Sequence, residues 1–247
     1  MLVRGLKSKI ITPKGNLLSA ITHTLKGLPA RVAIREGDVL VIASKVVAIT
    51  QGRTKKITGQ KEFKALVEAE ADQVIGGNQV TLTMKNGIFI PWAGVDRSNT
   101  PHGTVVLWPK EPFKTAGKIC SALKTQFRLK KLGVIITDSF CAPLRRGVTA
   151  VALGYAGFYG VNDLRGTKDL YGNKLKVSQQ AIADMIATAA HLVMGESNEQ
   201  TPFAIVSGAP VVFTAKKIDT KEPLMNADEC LYQSLYKKLT KRERKAK

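Results

Sequence analysis

Apolar positions recur along this chain with two periods, one helical and one extended. Leu17, Leu18, Ile21, Leu25 and Leu28 fall on one helical face, just after the turn residues Pro13 to Asn16. Glu62 to Val74 predicts a second amphipathic helix through Phe63, Leu66, Val67 and Val74, stopped by Gly76, Gly77 and Asn78. Ile119, Leu123 and Phe127 mark a third. Ser178 is placed to cap a fourth that runs to Met194, with Gly195 as its stop and Ile182, Met185, Ile186, Ala189 and Val193 as its core face. Between these lie short, strand-like apolar runs: Asp38 to Ala43, Thr104 to Trp108, Gly133 to Thr137, Phe203 to Val206 and Val211 to Thr214. Val80 to Met84 and Gly87 to Trp92 flank Lys85 and Asn86 as a hairpin. Val148 to Val161, with Gly154, Gly157 and Gly160, reads as a strand with close backbone packing followed by a loop. There is no internal repeat. Helices and strands alternate irregularly, which predicts a mixed α/β (α+β) fold rather than a doubly wound parallel sheet.

At 247 residues with 44% hydrophobic content, the chain has material for one large domain or two small ones. Residues 1–236 read as a single catalytic body of one or two lobes, and residues 237–247 as a basic tail. The longest apolar stretches fall far short of the ~20 residues of a membrane span, so no membrane association is expected. The N-terminus has no long apolar segment of the signal-peptide kind. Cys120, Cys141 and Cys230 are odd in number and widely spaced, which suggests neither a disulfide framework nor a zinc site and fits a reducing cytoplasm.

The formal charge of +19 points first to nucleic acid. Seven basic residues and one acid in the tail supply +6 of it, leaving +13 on the body. A basic body attracts any polyanion, nucleotides and polyglutamates included, so charge alone does not choose. The sequence has no helix-turn-helix, no RNP signature and no aromatic-basic interleaving.

The candidate chemistry gathers where strands end. Gly133 to Thr137 stops abruptly in Asp138 and Ser139, followed by a turn at Ala142-Pro143 and by Arg145, Arg146 and Gly147. Ligand sites in α/β proteins lie beyond the carboxyl ends of such strands. Asp96 stands in a similar setting, in the run AGVDRSN after Trp92, with Asn99 three residues on. Two acids with a hydroxyl and an amide are oxygen ligands suited to Mg²⁺ or Mn²⁺; aspartates in these positions also cap turns. In the polar loop from Asp163 to Gly172, Arg165 and Lys168 could grip phosphate or carboxylate, or form a salt-bridged surface. Ser44 and Lys45 follow a strand, with Lys45 read as continuing it, but no P-loop run is present. His23, His102 and His191 are isolated, and His191 reads as a core or interface histidine. Cys141 has no base nearby in sequence and reads as packing.

Taken together, GVIITDSFCAPLRRG, DLRGTKDLYG, ADMIATAAHLVMGE, GDVLVIASKVV with QGR, and AGVDRSN resemble the coenzyme F-420-0:γ-glutamyl ligase family, in consistent order from about Asp38 to Gly208. NTPHGTVVLWPKEPF and MGESNEQTPFA are closer to a branch described as folate-metabolism γ-glutamate ligases. The resemblance implies an unusual α/β fold in an intertwined homodimer. It also implies amide-bond formation between L-glutamate and an acceptor of folate or F-420-0 type, with GTP or ATP and a divalent metal. Carried over by position, Asp96, Asp138 and Ser139 match metal ligands, and Ser44 and Asn99 match nucleotide contacts. Lys45 is a second candidate at the nucleotide. Arg145, Arg146 and Arg165 are candidates to hold carboxylates, since the guanidinium fork matches them. The run SKVVAITQGR departs from the family's usual SKVVSKAEGR, so that Ile49 stands at a lysine that contacts the nucleotide and Gln51 at an acid; Ser207-Gly208 replaces a late Arg-Gly pair. A nucleotide-binding member that has lost ligation, and a basic nucleic-acid-binding protein, are the competing readings.

Overall fold

The computed structural model describes residues 1–77 and 79–234; the basic tail and Asn78 lie outside the described residues. Strand β1 (Leu2–Leu6) leads to helix α1 (Leu17–Lys26). Asn16 caps that helix, its side-chain oxygen accepting from the Ser19 amide at 2.9 Å. Ile21 and Leu25 are buried and Leu17, Leu18 and Leu28 pack beside them, as the periodicity predicts. Strand β2 (Asp38–Ala43) passes with no intervening loop into helix α2 (Ser44–Thr50), so Lys45 lies in the first turn of a helix rather than on a continued strand.

Strand β3 (Thr54–Lys56) and helix α3 (Gln60–Glu70) follow. The helix stops short of Val74, because Gln73–Gly76 is strand β4, paired with β5 (Leu82–Lys85). Cross-strand pairing wins there over a helical spacing that Val74 satisfies only by coincidence. β5 and β6 (Ile88–Pro91) form the expected hairpin, turned one residue later than predicted, at Asn86 and Gly87. Both adopt positive φ (51° and 77°), as a tight primed turn requires. β7 (Thr104–Val106) pairs with β3. Phe63, Leu66, Val67, Ala93, Val95, Val105 and Leu107 form a separate, smaller core in this part of the chain.

Helix α4 (Pro112–Phe127) starts on a proline, whose missing N–H has no partner to lose in a first turn. Then come β8 (Leu132–Phe140), β9 (Thr149–Ala156), β10 (Val161–Asp163), β11 (Gln179–Ala181), α5 (Ile182–Met194) and β12 (Phe203–Ser207). α5 begins at Ile182, not just after Ser178, because residues 179–181 pair with β10. Its buried face is Ile182, Ala183, Ile186, Ala187, Ala190 and Met194, while Met185 and Val193 are exposed. This helix is apolar on nearly every side, so spacing cannot choose a face; the alanines do, by letting it approach the sheet closely. Val211 to Thr214 forms no named strand, only a single bridge from Phe213 to Phe158.

Among the described residues the main sheet has five strands in the order β1-β12-β2-β8-β9. β2 and β8 are parallel and the other pairs antiparallel. α1, α2 and α4 cover one face over Leu40, Ile42, Val134, Ile136 and Ile205. α5 covers the other over Val39, Val41, Ile135 and Val206. The architecture is therefore a mixed α/β sandwich. Because β2 and β8 run side by side in the same direction, with Ala43 opposite Thr137, Ser44 and Asp138 emerge together at one edge. The register of β8 against β9 shifts between Ile136 and Thr137, a bulge of the kind that re-aims side chains beside functional sites.

Candidate active site

Successive residues of a strand point to opposite faces, and the end of β8 uses this directly. Asp138 turns toward α2, where it accepts a hydrogen bond from the Trp108 indole N–H, and the nearby Ser44 hydroxyl favours its charged form. Ser139 turns toward α5, and its hydroxyl donates to Glu196 Oε1 at 2.8 Å. The same Glu196 oxygen pairs with His191 Nε2. His191, only partly exposed, therefore pairs with an acid that lines the cavity.

Asp96 arrives from the stretch of chain that carries the smaller core. Its backbone bridges Val106 in both directions, at 2.9 and 2.8 Å, which fixes the loop to the end of β7. Its carboxylate accepts from the Ser98 amide at 2.7 Å and the Ser98 hydroxyl at 3.0 Å, and pairs with Lys45 Nζ at 2.6 Å. Asp96 therefore caps its own turn and also faces the cavity. Asn99, in the left-handed conformation that asparagine tolerates (φ 52°), donates to the Ser197 carbonyl at 2.6 Å and so joins the Asp96 loop to the loop after α5.

The two aspartates are electrostatically unlike. Burial would raise the Asp96 carboxyl, but Lys45 and the Ser98 donors outweigh it and hold the group below its usual range. Burial pushes Asp138 up to about 6; the Trp108, Ser139 and Ser44 donors pull it down, and the negative charge of Asp96 adds to the rise.

These groups line a cavity of roughly 570 Å³, a volume in the range of small-ligand and nucleotide pockets. Asp96, Asp138, Ser139 and Glu196 contribute oxygens to its lining, and Ile10, Ile11, Val46 and Ile49 apolar side chains. The loop from Gly195 to Pro202 closes another side. Among the described residues, no three His, Cys, Asp or Glu side chains gather into a ready-made metal cage. The two aspartates, Ser139 and Glu196 nonetheless offer oxygens, and a carboxyl raised by burial and by a neighbouring acid is one that a hard divalent cation would stabilise in its charged form, so these four fit Mg²⁺ or Mn²⁺ in kind.

Residues 5–208 match the family described as "F420-0:Gamma-glutamyl ligase". A protein named "Coenzyme F420:L-glutamate ligase" from Methanococcus maripaludis (strain C6) is 33% identical over 229 residues, covering 85% of this chain and 91% of the relative. Proteins of the same name from Methanocaldococcus jannaschii and Methanopyrus kandleri are 35% and 36% identical, over 76% and 71% of this chain and 82% and 76% of those proteins. The chain belongs to the F-420-0:γ-glutamyl ligase family.

Of the positions that the family resemblance marks, the fold brings Ser44, Lys45, Asp96, Asn99, Asp138 and Ser139 to the one cavity, and Ile49 lines it too. The arginines are elsewhere. Arg145 and Arg146 are exposed on the β8–β9 loop, without side-chain partners among the described residues, and Arg165 pairs with its neighbour Asp163 at 2.6 Å on the exposed β10–β11 loop. Sequence reading missed Glu196 and the loop that follows it. The available signals were the acid placed directly after Gly195 and its inclusion in the family-like runs ADMIATAAHLVMGE and MGESNEQTPFA, to which no site role was attached.

Proposed function

We propose that this chain joins L-glutamate through an amide bond to the carboxylate of an F-420-0-type or folate-type acceptor, at the expense of a nucleoside triphosphate. Membership of the ligase family supports the reaction class, and the observation that carries the site is the convergence of Asp96, Asp138, Ser139 and Glu196 on one cavity from three separate stretches of chain. The acceptor carboxylate would attack the γ-phosphorus, releasing nucleoside diphosphate and giving an acyl phosphate. The glutamate amine would then attack the activated carbonyl, expelling phosphate and losing a proton as the amide forms. A bound divalent cation would neutralise the triphosphate, and the oxygens of Asp96, Asp138, Ser139 and Glu196 would hold it.

The rest falls to the chain's own groups. Trp108 and Ser44 orient the Asp138 carboxylate, His191 orients Glu196, and Asn99 keeps the two cavity loops together. The apolar side chains of Ile10, Ile11, Val46 and Ile49 suit the base or sugar end of the nucleotide. Arg145, Arg146 and Arg165, exposed and outside the cavity lining, would meet carboxylates of the acceptor at its mouth or across a subunit boundary. Exposed Met185 and Leu192 on α5 and Leu170 and Tyr171 on the β10–β11 loop support pairing of two copies, which sedimentation would test. Among the described residues no helix is long and apolar enough to cross a membrane.

The deciding experiment supplies purified protein, Mg²⁺ or Mn²⁺, GTP or ATP, L-glutamate and each acceptor in turn. The product should gain about 129 Da, one glutamyl residue held by an amide, with release of nucleoside diphosphate and phosphate. Failure to extend either acceptor with either nucleotide would overturn the reading. Because Ile49 lines the cavity where the family resemblance places a lysine, the second reading is a member that binds nucleotide without ligation. Nucleotide binding without turnover, restored by Ile49→Lys, would favour it.

A further inference from the structure

Lys45 Nζ lies 2.6 Å from Asp96 Oδ2, 2.8 Å from Ser98 Oγ and 3.0 Å from the Ser98 carbonyl oxygen. An ammonium has three donors and no acceptor, and all three donors are engaged by this one turn. The position of Lys45 in the chain makes the arrangement informative. It sits in the first turn of α2, the positive end of a helix, where a cation gains nothing from the helix itself and is held only by an anion brought to it. In this state the anion is Asp96. The stem is flexible and the head a compact charge, so the ammonium can change partners without moving the helix.

We propose that Lys45 is a built-in counter-ion that keeps Asp96 from taking up a free divalent cation, and that an incoming triphosphate draws the ammonium off the carboxylate as the metal enters. The proposal rests on the reading above that Asp96 is a metal ligand. An ammonium and a divalent cation in contact with the same carboxylate oxygen repel each other, so the two compete for Asp96. A polyphosphate offers Lys45 an alternative anion, so metal and nucleotide should bind synergistically and free metal poorly.

The test measures Mn²⁺ binding by electron paramagnetic resonance, with and without GTP, on full-length wild type, Lys45→Met, Asp96→Asn and the double variant. Lys45→Gln serves in place of Lys45→Met if circular dichroism shows that the latter is misfolded. Without nucleotide, Lys45→Met should bind Mn²⁺ more tightly than wild type, by up to about fivefold, the scale of one partly exposed ion pair. With GTP it should bind less tightly than wild type. A purely structural role for Lys45 would not move the two affinities in opposite directions. Equal free-Mn²⁺ affinities in wild type and Lys45→Met, with Asp96→Asn weakening both, would overturn the counter-ion and leave the metal site standing. If Asp96→Asn changes Mn²⁺ affinity in neither background, the metal assignment of Asp96 itself is wrong.

Discussion

The indole N–H of Trp108 donates to Asp138 Oδ2 across a separation of 30 residues. Trp108 is buried with Ile90 and Leu153, so a residue that follows β7 carries the donor that orients a carboxylate at the end of β8. Removing that donor strands a largely desolvated carboxylate. Trp108→Phe should keep most of the packing and destabilise the protein by about 1.5–3 kcal/mol, the range for a hydrogen bond to a charged group. Urea denaturation measures this, and the same variant should bind Mn²⁺-nucleotide more weakly in calorimetry.

Gly94 makes a related prediction without touching a polar group. It sits at φ 71°, and a Cβ built there would overlap the Trp108 indole nitrogen. Gly94→Ala should displace the ring and reproduce the loss of metal-nucleotide affinity expected of Trp108→Phe. The double variant should be little worse than either single one, since both act on one hydrogen bond. Additive losses would mean that the two residues act separately.

Asp138 carries a pH signature. Its folded value, raised to about 6, lies above the ~3.9 of an unfolded aspartate, so the native state holds the proton more tightly. The stability this lends is complete below about pH 4 and lost as pH rises through 6. Asp138→Asn removes the burden of ionisation, and the ligand-free variant should gain up to about 3 kcal/mol over wild type at pH 7–8. It should also lose the thermal stabilisation that Mn²⁺ and nucleotide give together. Thermal melts at pH 5 and pH 8, with and without both ligands, check each half.

Glu70 has the opposite sign. Burial raises its carboxyl, but Lys85 and Arg53, each 2.6 Å from Oε2, together hold it below the ordinary value. A depressed acid contributes stability above its unfolded pKa of about 4.3 and loses it as pH falls through the folded value. Glu70→Gln should destabilise the protein at pH 7 by about 3 kcal/mol, because two cations are left facing each other. Below pH 4 the gap to wild type should narrow. A gap independent of pH would show that shape, not charge, is what Glu70 provides.

Truncation after Tyr236 should leave fold and turnover intact, since the tail lies beyond the family match, which ends at residue 208. A truncated protein with native circular dichroism and no activity would contradict this. Weaker retention on heparin at low salt would be the expected consequence of losing +6 of charge.

Much of this molecule is legible from the chain because local signals and tertiary needs agree. The α1 face, the β2 and β8 runs and the strand-end acids all speak locally. Where the reading slipped, a longer-range term decided. Val74 fits a helical spacing but pairs as strand. α5 offers apolar residues on several sides, and only packing against the sheet selects its alanines over Met185 and Val193. Glu196 and His191 lie within runs that carry the family resemblance, but their relation to Ser139 exists only once α5 is laid across the sheet. The reach of Lys45 depended on α2 starting the moment β2 ends, a junction that hydrophobic pattern does not mark.

The consecutive placement of Asp138 and Ser139 has a consequence for how such a protein can change over generations. One insertion or deletion within β8 would send the carboxylate to the Glu196 side and the hydroxyl to the Trp108 side, setting two acids face to face and leaving the indole without its acceptor. Point substitutions at the cavity can therefore be explored one at a time, as Ile49 illustrates. The length of the strand beneath it is closed to gradual variation, and insertions that spare the site belong in the loops.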